Sequence, residues 1–348
     1  MTMAKGAQDV SAAAYTLRQQ LLADGILKSP DAEMIPLTGG VSSDVYLVRD
    51  LERCFVVKQA LASLKVRDSW QADVARNISE RDYLSYVGKR LPKTVPALID
   101  SRDSYFVMEY LGDGFANWKN LLLAGQCDPM HAALAGNTLG TIHRISSHNR
   151  EAESLFDTGK LFHQLRIDPY LLATGRRHPE LQKYFADEAE RLESTRECLV
   201  HGDYSPKNIL IRGNHLVVLD CETAWYGDPA FDLAFLLCHL LLKGLFHAPR
   251  QVGASEIAGG AANAYFRAFG ISEKKQRQIE ERTAKLVLML ILARVDGKSP
   301  ADYLTESHKQ FIRHFVTKRL ECPPSRLRTM TDLWFSDSLA YRQAAESK

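Results

Sequence analysis

The sequence predicts an α+β fold of two lobes, a small antiparallel sheet followed by a larger and mainly helical body. Its length of 348 residues exceeds what one ordinary hydrophobic core holds. Short runs rich in β-branched and aromatic residues are concentrated in the first third of the chain, and helical periodicity dominates the rest. The composition changes at the glycine-bearing stretch 111–114. We therefore expect residues 1–112 to form the first lobe and residues 113–348 the second.

The first lobe is expected to contain two helices and five strands. Apolar residues recur at helical spacing over residues 8–27 and 71–90. The strands are predicted in residues 34–37, 44–50, 54–60, 95–100 and 105–110. The first three strands follow one another through short connections, so they should form an antiparallel meander.

The second lobe is predicted to be helical except for one hairpin. Two short apolar runs, 209–212 and 215–220, flank Gly213-Asn214, which is typical of a two-residue hairpin turn. Helical segments are predicted at about 118–124, 131–147, 180–197, 230–246, 255–270, 273–297 and 301–320. The most apolar stretches, 233–246 and 286–293, are too short to span a bilayer and predict buried helices.

Composition and charge are typical of a globular protein without a nucleic-acid or membrane partner. Hydrophobic residues make up 45% of the chain, the formal net charge is +2, and no run of Lys or Arg forms a basic stripe. The six cysteines are scattered without a Cys-x-x-Cys pair, which argues against a zinc site or a disulfide framework and favours a cytoplasmic setting. The N-terminal residues lack the apolar run of a signal peptide. The oligomeric state stays open.

The segment 201–208, HGDYSPKN, carries the strongest chemical signal in the chain. Phosphoryl transfer needs a carboxylate that orients the attacking hydroxyl and takes its proton, and oxygen ligands that hold Mg²⁺ on the nucleotide phosphates. A hairpin folded about its Gly-Asn turn is expected to bring Asn208 and Asp220 together at its open end, where a hard cation could bridge them. Asp203, five residues before Asn208, is then free to act as the base.

Three small residues between the first two strands are candidates for phosphate binding. Gly39, Gly40 and Ser42 leave backbone NH groups accessible, so phosphates can approach them closely. The same residues would also suit an ordinary hairpin turn.

Lys58 stands between apolar residues on the third predicted strand and therefore needs a charged partner. Glu80 on the following helix is the candidate protein partner, and the α- and β-phosphates of ATP are the candidate substrate partner. Asp73 and Asp82 are alternatives to Glu80. A lysine and a glutamate exposed to solvent would explain the same pattern without a function.

Three motifs together resemble the aminoglycoside phosphotransferase family. They are HGDYSPKN at 201–208, LDCE at 219–222 and GDPAFDLA at 227–234. The resemblance implies the protein-kinase fold, with ATP and Mg²⁺ as cofactors. It also implies that Asp203 is the catalytic base and that Asn208 and Asp220 are the Mg²⁺ ligands. Asp232 would be a structural acid that braces the catalytic loop.

The resemblance extends to other parts of the chain. The segment 107–114 resembles the hinge of kinases, in which the main chain of Glu109 and Leu111 would hold the adenine edge. Glu222 stands where the family often has a further acid, and its binding of a second metal stays open. A narrower similarity, carried by KQAL at 58–61 and by Trp70, is to methylthioribose kinase, a sugar kinase of the same superfamily.

The sequence therefore predicts an ATP-dependent kinase that phosphorylates a hydroxyl group of a sugar, an aminoglycoside or an amino alcohol. One alternative is a pseudokinase that binds nucleotide as a scaffold, although the candidate base, metal ligands and lysine are all present. Another is a protein kinase, but the chain has His-Gly-Asp in place of His-Arg-Asp and lacks an Asp-Phe-Gly motif. The sequence chooses neither the acceptor nor between ATP and GTP.

Overall fold

The computed structural model describes residues 4–37, 43–60, 67–247 and 254–346. Contacts between residues divide the chain into two compact units. The first consists of Met1–Asn77 with Pro96–Gly112, and the second of Ile78–Val95 with Asp113–Lys348. The main break in the chain thus follows Gly112, and the second half of one long helix groups with the larger unit.

The first unit is built on one five-stranded antiparallel sheet of order β1-β2-β3-β5-β4. Its strands are β1 (Glu33–Pro36), β2 (Ser43–Asp50), β3 (Arg53–Ala60), β4 (Leu98–Ser101) and β5 (Tyr105–Glu109). Helix α1 (Ala4–Ala23) precedes the sheet, and helix α2 (Arg67–Arg90) connects β3 to β4. All five strands and both helices predicted from the sequence are present.

The core of the first unit forms where α1 packs on the sheet. Leu17 and Leu21 are fully buried against Val48, Val57 and Val107 from β2, β3 and β5. These side chains come from the same face of the sheet because alternate residues of a strand point to the same side. The buried contacts fix the central position of β3, which carries Lys58.

The second unit is mainly helical. Its helices are α3 (Trp118–Leu123), α4 (Pro129–Ser146), α5 (Arg150–Leu155), α6 (Gly159–Phe162), α7 (Ala173–Arg177), α8 (Gln182–Ser194), α9 (Pro229–His247), α10 (Ala254–Phe269), α11 (Glu273–Asp296), α12 (Glu306–Leu320) and α13 (Leu327–Glu346). The sequence predicted the longer of these but not α13, although Leu327, Met330 and Trp334 are buried at helical spacing. Helix α9 is long and apolar enough to cross a membrane, but 89% of its most apolar window is buried within the protein.

Five short strands cross the second unit. They are β6 (Ala116–Asn117), β7 (Cys198–Val200), β8 (Ile209–Arg212), β9 (His215–Val218) and β10 (Trp225–Gly227). The predicted hairpin is present as β8 and β9, with Arg212 opposite His215 across the Gly-Asn turn. Strands β7 and β10 pair with each other over three residues, which is too short for a periodic signal in the sequence.

A π-helical segment, His163–Leu172, joins α6 to α7. The sequence predicted no element here. Pro169 lies inside the segment, where it lacks an N–H and its ring disturbs ordinary α-helical hydrogen bonding. Single π-helical turns are common at functional sites, and ten residues in this geometry are unusual.

Candidate active site

The segment 201–208 follows β7 and ends in the 3₁₀ turn Pro206–Asn208 before β8. A buried carboxylate anchors its first residues. Asp232, in the first turn of α9, is fully buried. Its Oδ2 accepts a hydrogen bond from the backbone N–H of His201 at 2.7 Å, and its Oδ1 accepts one from that of Gly202 at 2.9 Å. Hydrogen bonds to a carboxylate are stronger than those between neutral groups, so Asp232 fixes the start of the loop.

A histidine supports this carboxylate from the opposite side. His143 of α4 is fully buried, and its Nε2 lies 3.4 Å from Asp232 Oδ2. Its Nδ1 lies 2.9 Å from the hydroxyl of Tyr265. These partners are consistent with an imidazole that donates from Nε2 and accepts at Nδ1. His143 is therefore a packed histidine with both ring nitrogens partnered.

Asp232→Asn should destabilise the fold by about 2–4 kcal/mol, because the amide nitrogen cannot accept the loop N–H that one carboxylate oxygen accepts. Chemical denaturation of the two proteins measures the difference. Asp187→Asn is the matched control, since within the described part of the chain Asp187 pairs only with the neighbouring, exposed Lys183 on α8. Equal stability of Asp232→Asn and the parent would contradict the bracing role.

The loop turns sharply at Gly202. Its φ is +77°, and a Cβ at this position would lie 2.6 Å from the carbonyl oxygen of Thr223, so only glycine fits. The ring of His201 then connects the loop to the hairpin. Its Nδ1 accepts from the N–H of Asp203 at 3.1 Å, and its Nε2 lies 3.1 Å from the carbonyl oxygen of Leu219.

Asp203, the predicted base, is paired with an arginine that the sequence analysis missed. Its Oδ2 lies 3.1 Å from Nη2 of Arg166, which comes from the π-helical segment. The Nε of the same guanidinium donates to the carbonyl oxygen of Gly202. Arg166 therefore holds both the side chain of Asp203 and the backbone beside it. No local motif marks Arg166, because its partners lie more than 30 residues away.

The charge of Arg166 is permanent. Burial lowers the pKa of its guanidinium, but the carboxylate of Asp203 raises it, as do Tyr170, Glu222 and Asp220, and the net pKa lies above the usual value. The side chain of Asp203 therefore faces a fixed positive charge while it keeps 19% of its surface exposed. That exposed part can meet a substrate hydroxyl.

The open end of the β8–β9 hairpin carries the two predicted metal ligands. Asn208 lies opposite Leu219, whose N–H donates to the carbonyl oxygen of Asn208 at 2.9 Å. Asp220 lies one residue beyond this pair, in the left-handed conformation with φ of +59°. The sequence analysis placed Asn208 and Asp220 together at this end. The pairing of Arg212 with His215 across the turn sets Asn208 opposite Leu219 and Asp220 one residue further along. Aspartate tolerates this conformation better than most residues, and such local strain is frequent at functional sites.

Three carboxylates converge beside the hairpin. One oxygen each from Glu80, Asp220 and Glu222 lies within 4.8 Å of the other two. Glu80, on α2 in the second unit, is almost fully buried. Carboxylate oxygens at this spacing can hold a hard divalent cation, and the cation would relieve the repulsion between them. The sequence analysis assigned Glu80 to Lys58, and the structure groups it with these two acids.

The remaining predicted residues belong to the first unit. Gly39, Gly40 and Ser42 lie outside the described residues. Lys58 is buried on β3, where it stands opposite Phe106 of β5. Glu109 is the last residue of β5, and its backbone N–H donates to the carbonyl oxygen of Ala97 at 2.9 Å. Leu111 follows it without regular structure.

A second basic group, Lys243 on α9, is buried deep in the larger unit. Only 2% of its surface is exposed. Its Nζ lies 3.4 Å from the carbonyl oxygen of His239 and 5.4 Å from the centre of the Tyr303 ring. Burial, with the charges of Arg294 and Lys119, lowers the pKa of Lys243 to about 7.

Lys243→Met should stabilise the protein at neutral pH. Below pH 7 the lysine is charged in both the folded and unfolded chain, so folding carries the full cost of burying it, and most of that cost remains at pH 7. Above pH 7 Lys243 loses its proton in the folded protein before it does so in the unfolded chain. The cost of burying the charge therefore falls with pH and disappears above the pKa of the unfolded chain. We expect Met to gain about 2–5 kcal/mol at pH 7 and about 1 kcal/mol at pH 10.

Urea denaturation at several pH values measures this difference between the variant and the parent. Lys318→Met, at an exposed position of α12, is the control and should show no comparable gain at any pH. A difference for Lys243→Met that stays constant between pH 7 and pH 10 would contradict the lowered pKa.

The fold and the loop geometry correspond to a known family. A family model described as the phosphotransferase enzyme family, APH, matches residues 33–278. The chain therefore belongs to this family. Methylthioribose kinase of Bacillus cereus strain AH820 is 27% identical over 237 residues. The match spans 60% of this chain and 60% of the relative's length, and it confirms the similarity noted in the sequence.

Solved structures share the fold at low sequence identity. An amicoumacin kinase in complex with AMP-PNP and Ca²⁺ matches with a TM-score of 0.59 and 12% identity, covering 92% of this chain and 99% of its own. Plasmodium vivax ethanolamine kinase matches with a TM-score of 0.53 and 12% identity, covering 95% and 89%. The two-lobed, protein-kinase-like α+β fold predicted from the sequence is confirmed.

Proposed function

We propose that this protein transfers the γ-phosphate of ATP to a hydroxyl group of a small molecule such as a sugar or an amino alcohol. One observation carries the proposal: Asp203 is held by Arg166 and by the braced loop, yet part of its carboxylate stays exposed. The methylthioribose kinase relative and the family membership support the same reaction class.

Asp203 is proposed as the general base. A carboxylate at hydrogen-bond distance orients the acceptor hydroxyl and receives its proton as the oxygen attacks the γ-phosphorus. The new bond forms between the acceptor oxygen and phosphorus, and the bond from phosphorus to the bridging oxygen breaks to release ADP. The ion pair with Arg166 holds the carboxylate in place before the substrate arrives.

Asn208 and Asp220 are proposed as the Mg²⁺ ligands. Their oxygens, with the nearby Glu80 and Glu222, form the kind of donor set that hard cations prefer. Mg²⁺ neutralises charge that develops on the phosphates during transfer. The remaining role of the hydrogen-bond donors of this chain is to align the nucleotide and the acceptor.

The nucleotide is proposed to contact the first unit. Lys58 would pair with the α- and β-phosphates, and Gly39, Gly40 and Ser42 would approach the phosphates through their backbone. The main chain of Glu109 and Leu111 would bind the adenine edge. In the family, a lysine of this kind also pairs with a helix glutamate, and Glu80 keeps that proposed role alongside the metal cluster.

A transfer assay tests the proposal. Purified protein is incubated with Mg-ATP and a panel of sugars, aminoglycosides and amino alcohols, and phosphorylated product is followed by mass spectrometry alongside ADP release. We expect acceptor-dependent product from the parent and product at least about a hundredfold slower from Asp203→Asn. Tight nucleotide binding without transfer to any acceptor would overturn the proposal and favour a nucleotide-binding scaffold.

A further inference from the structure

Two aromatic rings, those of Tyr170 and Phe235, lie beside Arg166, the partner of the proposed base. The guanidinium carbon of Arg166 lies 5.8 Å from the ring centres of both Tyr170 and Phe235. The two rings pack edge to face with their centres 5.6 Å apart. The guanidinium of Arg166 therefore pairs with Asp203 and also lies beside the two aromatic rings.

One face of α9 continues from the aromatic pair. Phe235, His239 and Lys243 are four residues apart, so their side chains share that face. The rings of Phe235 and His239 lie 5.1 Å apart, and Lys243 follows His239 by one helical turn. With a rise of about 1.5 Å per residue, His239 and Lys243 lie about 6 and 12 Å beyond Phe235 along the axis. A small molecule can span this distance.

A third element adds another cation. Arg294 of α11 places Nη1 3.5 Å from the hydroxyl of Tyr170, whose ring faces Arg166. Arg294 also donates to the hydroxyl of Ser299 at 2.9 Å. Basic groups from the π-helical segment, α9 and α11 thus surround the same two aromatic rings.

Acidic partners for this basic group are missing within residues 4–37, 43–60, 67–247 and 254–346. In these ranges His239, Lys243 and Arg294 form no ion pair, although His239 and Lys243 are at least nine-tenths buried. The imidazole of His239 has no hydrogen-bond partner there either. Lys119 and Lys207 add further positive charge nearby. Burial and the charges of Lys243 and Arg294 lower the pKa of His239 well below its usual value, so its imidazole is a neutral hydrogen-bond donor. Buried basic groups without carboxylate partners are costly, so an anionic ligand would complete their environment.

We propose that His239, Lys243 and Arg294 form an anion subsite, and that the acceptor of this kinase is a small alcohol carrying a carboxylate or phosphate group. The inference rests on the proposed kinase function. The acceptor hydroxyl meets Asp203, its carbon chain lies along Phe235, and its anion meets Lys243 and Arg294. The acids that a polycationic aminoglycoside would need are partly occupied elsewhere, since Glu280 pairs with Arg326 and Glu273 with Arg277.

Matched acceptor series test the proposal in the full-length protein. The three-carbon series consists of glycerol, D-glycerate, glycerol 3-phosphate and serinol. The five-carbon series consists of D-ribose, D-ribonate and D-ribose 5-phosphate. Release of ADP at saturating Mg-ATP gives kcat/KM for each. We expect an anionic member to exceed its neutral parent by at least about tenfold, the effect of one charge-assisted contact. The better of carboxylate and phosphate identifies the anion.

Variants at Lys243 separate the subsite from general effects. Lys243→Met should lower kcat/KM for the anionic acceptor by about tenfold or more, mainly through KM, and leave its neutral parent nearly unchanged. Lys243→Arg should retain the preference, and Lys318→Met is the exposed control. Equal losses for both acceptors, or a preference for glycerol, ribose or serinol, would overturn the anion subsite.

A binding measurement keeps the two proposals distinguishable. Calorimetric titration into the parent and Lys243→Met does not depend on turnover. The four ligands are D-glycerate, D-ribonate, glycerol 3-phosphate and D-ribose 5-phosphate. Binding of any of them that the variant loses, without transfer to any acceptor, would support the subsite and reject the kinase reaction. Absence of binding by all four to the parent would reject the subsite, whether or not the protein phosphorylates a neutral alcohol.

Discussion

Asp203→Asn should lower the rate of phosphoryl transfer by a factor of roughly 10²–10⁴ and leave the affinity for Mg-ATP almost unchanged. The amide matches the carboxylate in shape, so it can keep the position beside Arg166. It cannot take the proton of the acceptor hydroxyl at neutral pH. The charge of Arg166 also loses its counter-ion, which adds a modest cost in stability.

Two measurements on the same preparations separate these effects. Turnover with the acceptor found in the transfer assay gives the chemical contribution, and calorimetric titration of Mg-ATP gives the nucleotide affinity. Among the described residues the exposed side chain of Asp157 pairs only with Arg196, so Asp157→Asn should match the parent in both measurements. Retained activity in Asp203→Asn would assign the base to another group. Lost nucleotide binding would place Asp203 in the metal site.

Much of the first unit was predictable because its signals are local. Strands β2 and β3 combine β-branched residues with a short turn, and each was predicted within one residue of its observed bounds. The β8–β9 hairpin follows from Gly213-Asn214 for the same reason. The loop residues Asp203 and Asn208 were proposed as base and metal ligand because their spacing is itself a motif.

The parts that sequence reasoning missed depend on long-range contacts. The role of Arg166 requires a π-helical segment that Pro169 disturbs and that no hydrophobic period reveals. The left-handed conformation of Asp220, one residue beyond the pair of Asn208 and Leu219, has no local signal in the sequence. Likewise, Glu80 joins Asp220 and Glu222 across about 140 residues of chain. Each of these three features concerns the geometry around Asp203 or Asp220, which the motifs had already singled out.

Asp220 is the position of the proposed metal site where a substitution is most constrained, because both its charge and its backbone conformation matter. Three carboxylate oxygens within 4.8 Å repel one another, and we expect a bound divalent cation to relieve that repulsion. The left-handed φ of +59° suits aspartate and asparagine far better than alanine. An informative variant must therefore remove the charge without adding backbone strain.

Asp220→Asn should lower Mg²⁺-dependent turnover by at least about 10³-fold, since it removes a charged ligand for the cation that neutralises the phosphates. The melting temperature without Mg²⁺ should stay equal or rise, because one of three repelling carboxylates becomes neutral. In the parent, Mg²⁺ should raise the melting temperature, and in the variant this gain should be largely lost. Turnover and thermal melts across a Mg²⁺ titration measure both effects.

Glu222→Gln is the matched comparison for Asp220→Asn, because it removes one charge from the same cluster two residues away. If Asp220 is the main ligand, Glu222→Gln should retain substantially more activity and more of the Mg²⁺-dependent gain in melting temperature. Near-normal turnover of Asp220→Asn in Mg²⁺ would contradict the metal assignment. A greater loss in Glu222→Gln would instead assign the main ligand to Glu222, since both variants lose the same charge from one cluster.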